Sequence, residues 1–409
     1  MDLINKSIIQ LNNENNKVEL DLKFIETDEF HGYDNQLYLI LTKYKSMIDK
    51  VYTQKTWDFC KKLSNECELL HIILKNKPQN LGIANYDPIS RAFFKMWEII
   101  SDFNIVDINE NKIIYAALAE GPGGFIECFN YYRRKHNKGK DDKIKCMTLK
   151  SNNADIPGWK KSQRIINECA ECDVSYGEDG TGDLLNRKNI EHFIELFNES
   201  KADLLTADGG FDFSDNYANQ ESTAFQLIYC EIITGLGVLK LGGHMVIKIY
   251  DIMHTASLDL IYLLTKYFKN IFITKPNSSR SANSEKYIIC KGFLGIDKTE
   301  LKSLLELVDE FNILKSQNKQ IIRILKNPIP KEFMDVIHSL NIHFISRQIK
   351  SILKIVSYTT LNLTNQDINE IKKEQTVYSI AWCAKYDFPI NFRCRYLRQN
   401  NQYNFIPNF

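Results

Sequence analysis

Four charged residues stand where the surrounding sequence predicts core or turn. Lys248 lies inside the apolar segment HMVIKIY, and Glu285 directly precedes the apolar segment KYIICKGF. Asp208 ends the segment ADLLTAD and is followed by two glycines, and Lys95 lies in the apolar segment SRAFFKMWEII. A buried lysine is costly unless it is paired. Two lysines paired with two carboxylates could perturb a lysine pKa and orient a hydroxyl group for attack.

Each of the four has a structural alternative when it is taken alone. Asp208 could serve as a turn residue or helix cap. Lys248 could extend from an edge strand to solvent, and Lys95 could lie on the polar face of an amphipathic helix. Glu285 could be a solvated loop charge. The functional interpretation depends on all four side chains meeting in one place.

A second motif is the glycine-rich stretch ALAEGPGGFIE. Its candidate ligand-binding residues are Glu120, Gly121, Pro122, Gly123, Gly124 and Phe125. An apolar segment leads into the glycines and a helical pattern follows, which is the arrangement of a ligand-binding turn between a strand and a helix. The spacing differs from G-x-G-x-x-G, so a dinucleotide site fits poorly. The structural alternative is a tight turn without a ligand.

Short apolar segments alternate with amphipathic ones between residues 84 and 295. The predicted strands are 113–119, 144–149, 202–208, 244–250, 271–276 and 286–293. The predicted helices between them are 125–135, 162–170, 221–240 and 255–268. This alternation predicts an α/β fold with a doubly wound, mostly parallel sheet. The last two strands are separated by a loop, so we expect an antiparallel hairpin at one edge of the sheet.

Composition narrows the class of protein. The 409 residues are 44% hydrophobic and 25% charged, with a net charge of +1, as in an ordinary soluble globular protein. The sequence contains no apolar run long enough for a membrane span, and its polar N-terminus does not resemble a secretory signal. The ten scattered cysteines suggest reduced thiols. We expect a cytoplasmic protein, or one of the nucleus or of a viral factory or virion. The pair Cys169 and Cys172 lacks a second pair at zinc-ligand spacing, so no metal site is predicted.

The chain divides into three parts by pattern. We predict a helical N-terminal appendage over 1–75, a catalytic domain over 76–295 and a C-terminal domain over 296–409, which opens with a helix near 299–317.

These motifs resemble those of the FtsJ-like ribose 2′-O-methyltransferases, and among them the mRNA cap-1 enzymes of eukaryotes and large DNA viruses. The resemblance covers about half of the chain. It is carried by AEGPGGFIE, CMTLKSNN, YGEDGTGDLLNRKNI, LLTADGGF, LGGHMVIKIYD and KPNSSRSANSEKYIICKGF. The family has a Lys-Asp-Lys-Glu tetrad, which corresponds in order to Lys95, Asp208, Lys248 and Glu285.

The resemblance implies a Rossmann-like methyltransferase that uses S-adenosyl-L-methionine. It implies that Lys248 contacts and activates a ribose 2′-OH, that Asp208 and Glu285 tune and orient Lys248, and that Lys95 and Asp208 position the hydroxyl and the methyl group. A lysine can accept a proton near neutral pH only if its pKa is lowered. We therefore expect burial and the second lysine to lower the pKa of Lys248. The resemblance also assigns the cofactor to the glycine-rich motif, Asp208 and Asp183. Where the family more often has Gly and Asp, this chain has Ala119 and Ala117, so the acid that meets the methionyl amino group is left open.

Contacts to RNA are predicted from basic residues. The stretch YYRRKHNKGKDDK (131–143), with Lys160, Lys161 and Arg164, could follow phosphates, or could be solvated surface charge. Trp159 could stack on a base or could pack internally.

The favoured function is transfer of methyl to the first transcribed nucleotide of capped mRNA, from cap 0 to cap 1. One alternative is an rRNA or tRNA ribose methyltransferase, which shares the tetrad. Another is a non-catalytic RNA-binding scaffold of a capping or transcription complex. Partners would be capped mRNA and, through the terminal segments, other capping enzymes or RNA polymerase. The sequence does not indicate an oligomeric state.

Overall fold

A central β-sheet with helices on both faces forms the framework. The structure is a computed structural model that describes residues 7–9, 19–26, 30–51, 54–72, 81–151, 153, 156, 158–160, 162–210, 219–361 and 363–398. Among these residues the strands are β1 Ser7–Ile9, β2 Leu20–Ile25, β3 Ile114–Leu118, β4 Lys143–Met147, β5 Glu171–Ser175, β6 Ala202–Ala207, β7 Leu239–Ile249, β8 Phe268–Thr274, β9 Lys286–Phe293 and β10 Gln320–Leu325.

The helices alternate with the strands through the middle of the chain. In the same described residues they are α1 Asn35–Val51, α2 Gln54–Ser64, α3 Ala92–Phe103, α4 Gly124–Lys135, α5 Gln163–Glu168, α6 Arg187–Glu195, α7 Gln220–Val238, α8 Thr255–Tyr267, α9 Lys298–Ser316, α10 Lys331–Thr360, α11 Asn365–Lys385 and α12 Arg395–Arg398. A short 3-10 helix covers Glu68–Leu70. None of the helices in the described part of the chain has the length and hydropathy needed to cross a membrane.

The sheet order is β1-β8-β9-β7-β6-β3-β4-β5. Strands β3 to β7 run parallel to one another, and β9 runs antiparallel to both β7 and β8. The chain moves outward from β3 through β4 to β5 and then returns to β6 on the other side of β3. The predicted doubly wound, mostly parallel sheet is therefore confirmed, and its topological switch point lies between β3 and β6.

Three features of the central sheet and its helices differ from the prediction. The predicted hairpin is present as β8 and β9, but β1 pairs with the outer side of β8, so the hairpin is not the edge. Strand β5 and helix α6 were not predicted. The residues of β5, ECDVS, are mostly half-buried or exposed, so the apolar signal of a core strand is missing there.

Apolar side chains form a core on each face of the sheet. Residues that alternate along β3 go to opposite faces, with Tyr115 and Ala117 toward α3 and α4, and Ala116 and Leu118 toward α7 and α8. This period of two is what a strand buried on both faces requires. The sheet is thereby held rigidly between two helical layers.

The terminal parts of the chain pack against the central sheet and against each other. Strands β2 and β10 form a separate antiparallel pair, and α1 and α2 both pack on α10. The predicted helices are present in the first 75 residues, but this segment also contributes β1 and β2. The predicted helix near 299–317 is present as α9. The domain limits at 75 and 295 stay a prediction.

Candidate active site

The four predicted charged residues meet at the end of the sheet where β6 and β7 finish. Asp208 directly follows β6, and Lys248 is the next-to-last residue of β7. Glu285 directly precedes β9, which starts at this end because it runs antiparallel to β7. Lys95 lies in the first turn of α3, which packs across this end. The carboxyl ends of parallel strands beside a switch point are where α/β proteins bind ligands.

The four side chains form two ion pairs. Lys95 Nζ lies 2.8 Å from Oε1 of Glu285 and donates to Oε2 at 3.0 Å. Lys248 Nζ lies 3.3 Å from Oδ1 of Asp208 and donates to the backbone oxygen of the same residue at 2.6 Å. All four side chains keep 12–16% of their surface exposed, so a substrate can reach them.

A tyrosine joins the two pairs. The hydroxyl group of Tyr287 donates to Oδ1 of Asp208 at 2.9 Å and lies 3.3 Å from Oε1 of Glu285. Burial raises the pKa of Tyr287 well above its ordinary value, and both carboxylates add to this effect. The hydroxyl group therefore keeps its proton and can donate. Sequence reasoning missed Tyr287, because in KYIICKGF it looks like an ordinary core residue.

Strand register explains why these groups share one face. Lys248 and Tyr287 are directly paired across β7 and β9. Val246 and Tyr287 belong to the core beneath α3, so the side chain of Lys248, two residues after Val246, emerges on that face. Lys95 on α3 approaches from above. A shift of one residue in the register would send Lys248 to the opposite face.

The electrostatics of the two pairs differ. Burial alone would raise the pKa of Glu285, but Lys95, Lys248 and Lys275 together lower it to about 2. Burial alone would lower the pKa of Lys248, but Asp208 and, to a smaller extent, the other nearby acidic groups raise it above its ordinary value. The expectation of a lowered pKa for Lys248 is therefore wrong. Desolvation is the largest single contribution, but Asp208, Tyr250, Glu285 and Glu231 together outweigh it.

The two glycines after Asp208 leave room for the side chains behind them. A Cβ atom at Gly210 would lie 2.7 Å from the hydroxyl oxygen of Tyr250 and 3.1 Å from Lys248 Nζ. A Cβ atom at Gly209 would overlap Oε1 of Glu231 on α7. The ADGG motif thus lets the backbone lie directly against the charged groups.

The loop that carries Glu285 is held by buried polar contacts. Lys275 Nζ donates to the backbone oxygen of Asn283 at 2.8 Å and to that of Glu285 at 2.7 Å. Glu98, one turn after Lys95 on α3, accepts from the backbone amides of residues 277 and 278, each at 2.7 Å. The opening stretch of this loop is therefore fixed to the same helix that supplies Lys95.

The glycine-rich loop lies at the switch point, between β3 and the N-terminus of α4. Gly123 adopts a φ of 97°, which favours glycine, and caps α4. A Cβ at Gly121 would lie 2.7 Å from the backbone oxygen of Gly158, and one at Gly124 would overlap the hydroxyl group of Ser90. These two glycines are therefore required by packing within the chain. Phe125 is buried in the core beneath α4.

Glu120 is buried where β3 ends and interacts with the hydroxyl groups of Tyr115 and Thr206. Burial raises its pKa well above the ordinary value, with a further contribution from Asp208. Within the described part of the chain no cation pairs with this carboxyl group, which therefore fits a ligand that brings a positive charge, as S-adenosylmethionine does. Glu120, the backbone of Gly121–Gly124 and Asp208 are the residues that would hold it.

Asp183 lies in the loop after β5, and Gly182 presses this loop against the end of β4. A Cβ at Gly182 would overlap the backbone oxygen of Thr148. Oδ1 of Asp183 accepts from the amide of Leu185 at 2.9 Å. The residue stands at the carboxyl ends of β4 and β5, on the same edge of the sheet as Glu120.

The predicted phosphate-binding residues are mostly paired within the protein. Arg133 is buried and bonded to Asp142 at 2.7 Å, and Arg134 and Arg164 both bind Glu168. Arg133 is therefore neither a phosphate contact nor a solvated surface charge, whereas Arg134 and Arg164 are exposed and ion-paired and Lys160 is exposed. Lys161 lies outside the described residues.

Trp159 packs internally. It is only 8% exposed, and its ring lies against Gly123. Stacking on an RNA base would require an exposed ring face, so the packing interpretation holds in this structure.

The chain is similar in sequence to known proteins. A family model described as FtsJ-like methyltransferase matches residues 88–293. The cap-specific mRNA (nucleoside-2′-O-)-methyltransferase 1 of Mus musculus is 28% identical over 368 residues, or 86% of this chain and 42% of the mouse protein. The protein of the same name from Dictyostelium discoideum is 28% identical over 354 residues. This match covers 82% of this chain and 45% of the Dictyostelium protein. This chain therefore spans less than half the length of these relatives.

A crystal structure of a Plasmodium falciparum protein described as a ribosomal RNA methyltransferase is 19% identical, with a TM-score of 0.33. The match covers 51% of this chain and 99% of the other. The family match extends from the start of α3 to the end of β9 and includes the four charged residues and the glycine-rich loop. The chain belongs to the FtsJ-like methyltransferase family, and S-adenosyl-L-methionine is its cofactor.

Proposed function

We propose that this chain transfers a methyl group from S-adenosylmethionine to the ribose 2′-OH of the first transcribed nucleotide of capped mRNA, the step from cap 0 to cap 1. The observation that carries this proposal is the pairing of Lys95 with Glu285 and of Lys248 with Asp208 at the switch point of the sheet. The relatives named as cap-specific enzymes support the choice of a capped substrate.

The residues of the chain position a weak nucleophile. When bound, S-adenosylmethionine supplies a methyl group on a sulfonium cation, which needs only an oxygen nucleophile in line. A ribose hydroxyl must lose its proton as the new bond forms. Lys248 contacts the hydroxyl oxygen, and Asp208 holds Lys248 through two contacts, at 2.6 and 3.3 Å. Lys95 is held by both carboxylate oxygens of Glu285, at 2.8 and 3.0 Å. Such preorganisation accounts for a large part of a rate enhancement.

Lys248 has two successive roles in this scheme. As an ammonium group it donates a hydrogen bond that orients the hydroxyl oxygen. It accepts the hydroxyl proton only after it has lost its own proton, and the carboxylates that raise its pKa oppose this loss. The rate is then limited by the fraction of neutral lysine, and it should rise with pH.

The runner-up function is methylation of rRNA or tRNA ribose, which the same four residues could support. A non-catalytic scaffold is the second alternative, and the complete set of paired lysines and carboxylates argues against it. Other capping enzymes and RNA polymerase stay proposed partners of the terminal segments.

The test is methyl transfer from radiolabelled S-adenosylmethionine to two RNAs of one sequence, one with a methylated guanosine cap and one uncapped. Lys248→Met removes the proposed base while it keeps the length of the side chain. Lys240→Met is the matched control, because Lys240 lies at the opposite end of β7 and pairs with Asp203.

Label in the first ribose of the capped RNA alone supports the cap-1 proposal. We expect Lys248→Met to lower kcat by ~10²–10⁴-fold and Lys240→Met to leave it near the wild-type value. Equal labelling of both RNAs would replace the proposal with a structural-RNA substrate. Absence of transfer to either RNA, with the cofactor still bound, would favour the scaffold.

A further inference from the structure

A third carboxyl group lies directly behind the ion pairs. Glu231 is in the middle of α7 and is fully buried. A Cβ atom added at Gly209 would overlap its Oε1, so the carboxyl group lies against the backbone that follows Asp208. Ala119, at the end of β3, borders the same point. Glu231 therefore lies beneath the junction of the two site loops.

This carboxyl group is unusual in having so little polar support. Among the described residues, neither of its oxygens accepts a hydrogen bond of good geometry, and the nearby backbone amide of Gly209 only partly offsets the effect of burial on its pKa. A buried carboxylate without partners destabilises a fold, and an apolar residue would fit the surrounding segment LIYCEIITGLG better. Its presence suggests a use in the site that it adjoins.

The groups that face Glu231 come from several elements. Lys248 lies on β7, and Tyr250 directly follows the end of that strand. Asp208 follows β6, Glu120 follows β3, and Cys230 precedes Glu231 on α7. Burial raises the pKa of Glu231 to about 8, and Asp208 adds to this, whereas Lys248 and the amide of Gly209 oppose it. Most of Glu231 is thus neutral at pH 7, and it becomes an anion as the pH rises through about 8.

We propose that Glu231 is a positioning residue of the methyl-transfer site: through the charge of its carboxyl group it controls the proton on Lys248. While Glu231 is neutral, it adds no negative charge that would hold the proton on the amine. Once it ionises, it stabilises the ammonium form of Lys248 and lowers the fraction of the base. The inference rests on the proposed role of Lys248.

The first experiment compares kcat of wild type and Glu231→Gln on the capped RNA at several pH values. Glutamine keeps the shape of the neutral acid and cannot ionise. We expect equal kcat values at about pH 7. At about pH 9 we expect the kcat of the variant to exceed that of the wild type by roughly tenfold, because a change of one unit in the pKa of Lys248 changes the fraction of neutral lysine about tenfold. A role in packing alone would change kcat by the same factor at every pH.

Glu221→Gln is the matched control. Glu221 is also a buried carboxyl group on α7, and the pKa of Glu221 is raised by burial to about 7. It binds the backbone amides of residues 253 and 254 and does not adjoin Gly209. We expect any change in kcat of this variant to be constant between about pH 7 and pH 9.

A second measurement does not depend on activity. A double-mutant cycle of Glu231→Gln and Lys248→Met is measured by thermal unfolding at about pH 6 and about pH 9. We expect the two substitutions to be coupled at the higher pH alone, where Glu231 is ionised.

The outcomes separate the two proposals. A ratio of kcat values that is constant with pH, or a cycle without coupling at about pH 9, would overturn the role of Glu231. Coupling in a protein that methylates neither RNA would keep the role of Glu231 and would refute the proposed function instead.

Discussion

Asp251 offers the sharpest test of how the N-terminal segment supports the site. It stands three residues after Lys248, and its carboxylate lies 2.7 Å from Nζ of Lys45 on α1 and 3.3 Å from Nζ of Lys286 on β9. All three side chains are less than 10% exposed. The perturbation is Asp251→Asn, which keeps the size of the side chain and removes its charge.

The magnitude follows from the pKa of Asp251. Burial alone would raise this pKa, but Lys45 and Lys286 lower it from 3.8 to about 2. A fall of about two pH units corresponds to ~2.5 kcal/mol of stability at neutral pH. The substitution also leaves two buried ammonium groups without their carboxylate, so we expect the free energy of unfolding to fall by ~3–5 kcal/mol.

The assay is urea unfolding followed by circular dichroism at pH values between about 2 and 7. A lowered carboxyl pKa gives stability above the unfolded-state pKa, and this is lost as the pH falls through about 4 toward 2. The difference between wild type and Asp251→Asn should therefore shrink over that range. Asp335→Asn is the control, because Asp335 and Lys331 form an exposed pair in which Asp335 is 65% exposed, and we expect a change below ~0.5 kcal/mol.

Lys45→Met refines the same test. Burial lowers the pKa of Lys286 even though Asp251 opposes this, so one carboxylate does not fully compensate two buried ammonium groups. Removal of Lys45 should therefore cost less than removal of Asp251, at ~1–2 kcal/mol. The reasoning is refuted if Asp251→Asn is no more destabilising than Asp335→Asn, or if its effect persists unchanged at about pH 2.

Three further predictions concern the reaction itself. Tyr287→Phe should lower kcat by ~10–100-fold with little change in cofactor affinity, because it removes the hydroxyl group that joins Asp208 and Glu285; an unchanged kcat would show that the hydroxyl group does not position these carboxylates. The kcat of the wild type should rise continuously between about pH 6.5 and pH 9.5, because the pKa of Lys248 is raised; a plateau reached below about pH 8 would argue against Lys248 as the base. Gly210→Ala should abolish most activity while calorimetry still detects cofactor binding, because its Cβ would lie 2.7 Å from the hydroxyl oxygen of Tyr250; wild-type kcat in this variant would contradict the close contact.

Much of the fold could be predicted because its signals are local. Strand β9 has the predicted bounds, and β3, β4, β6, β7 and β8 each overlap their predicted segments, since each is an apolar run between turn residues. Strand β5 lacks that run because it lies at the edge of the sheet with its residues half in solvent. The pairing of β1 with β8 joins residues far apart in the chain, and no local pattern encodes such a contact.

The candidate site divides in the same way. Lys95, Asp208, Lys248 and Glu285 could be named in advance, because a charge inside or beside an apolar segment stands out in the sequence. Glu231 gives the same signal inside α7, but nothing in the sequence says that it faces Gly209.

The sequence by itself determined which charges lie at the ends of core segments, and hence which side chains a parallel sheet would bring to one edge. Only the tertiary structure decided how those charges interact. The direction of a pKa shift depends on the balance between burial and the distance to each neighbouring charge. For Lys248 that balance is set by Asp208 at 3.3 Å, and the antiparallel pairing of β7 with β9 places Tyr287 between the two carboxylates. The contacts of Asp208 with Lys248 and with Tyr287 join residues 40 and 79 positions apart in the chain, which is why residue types and spacing could not supply them.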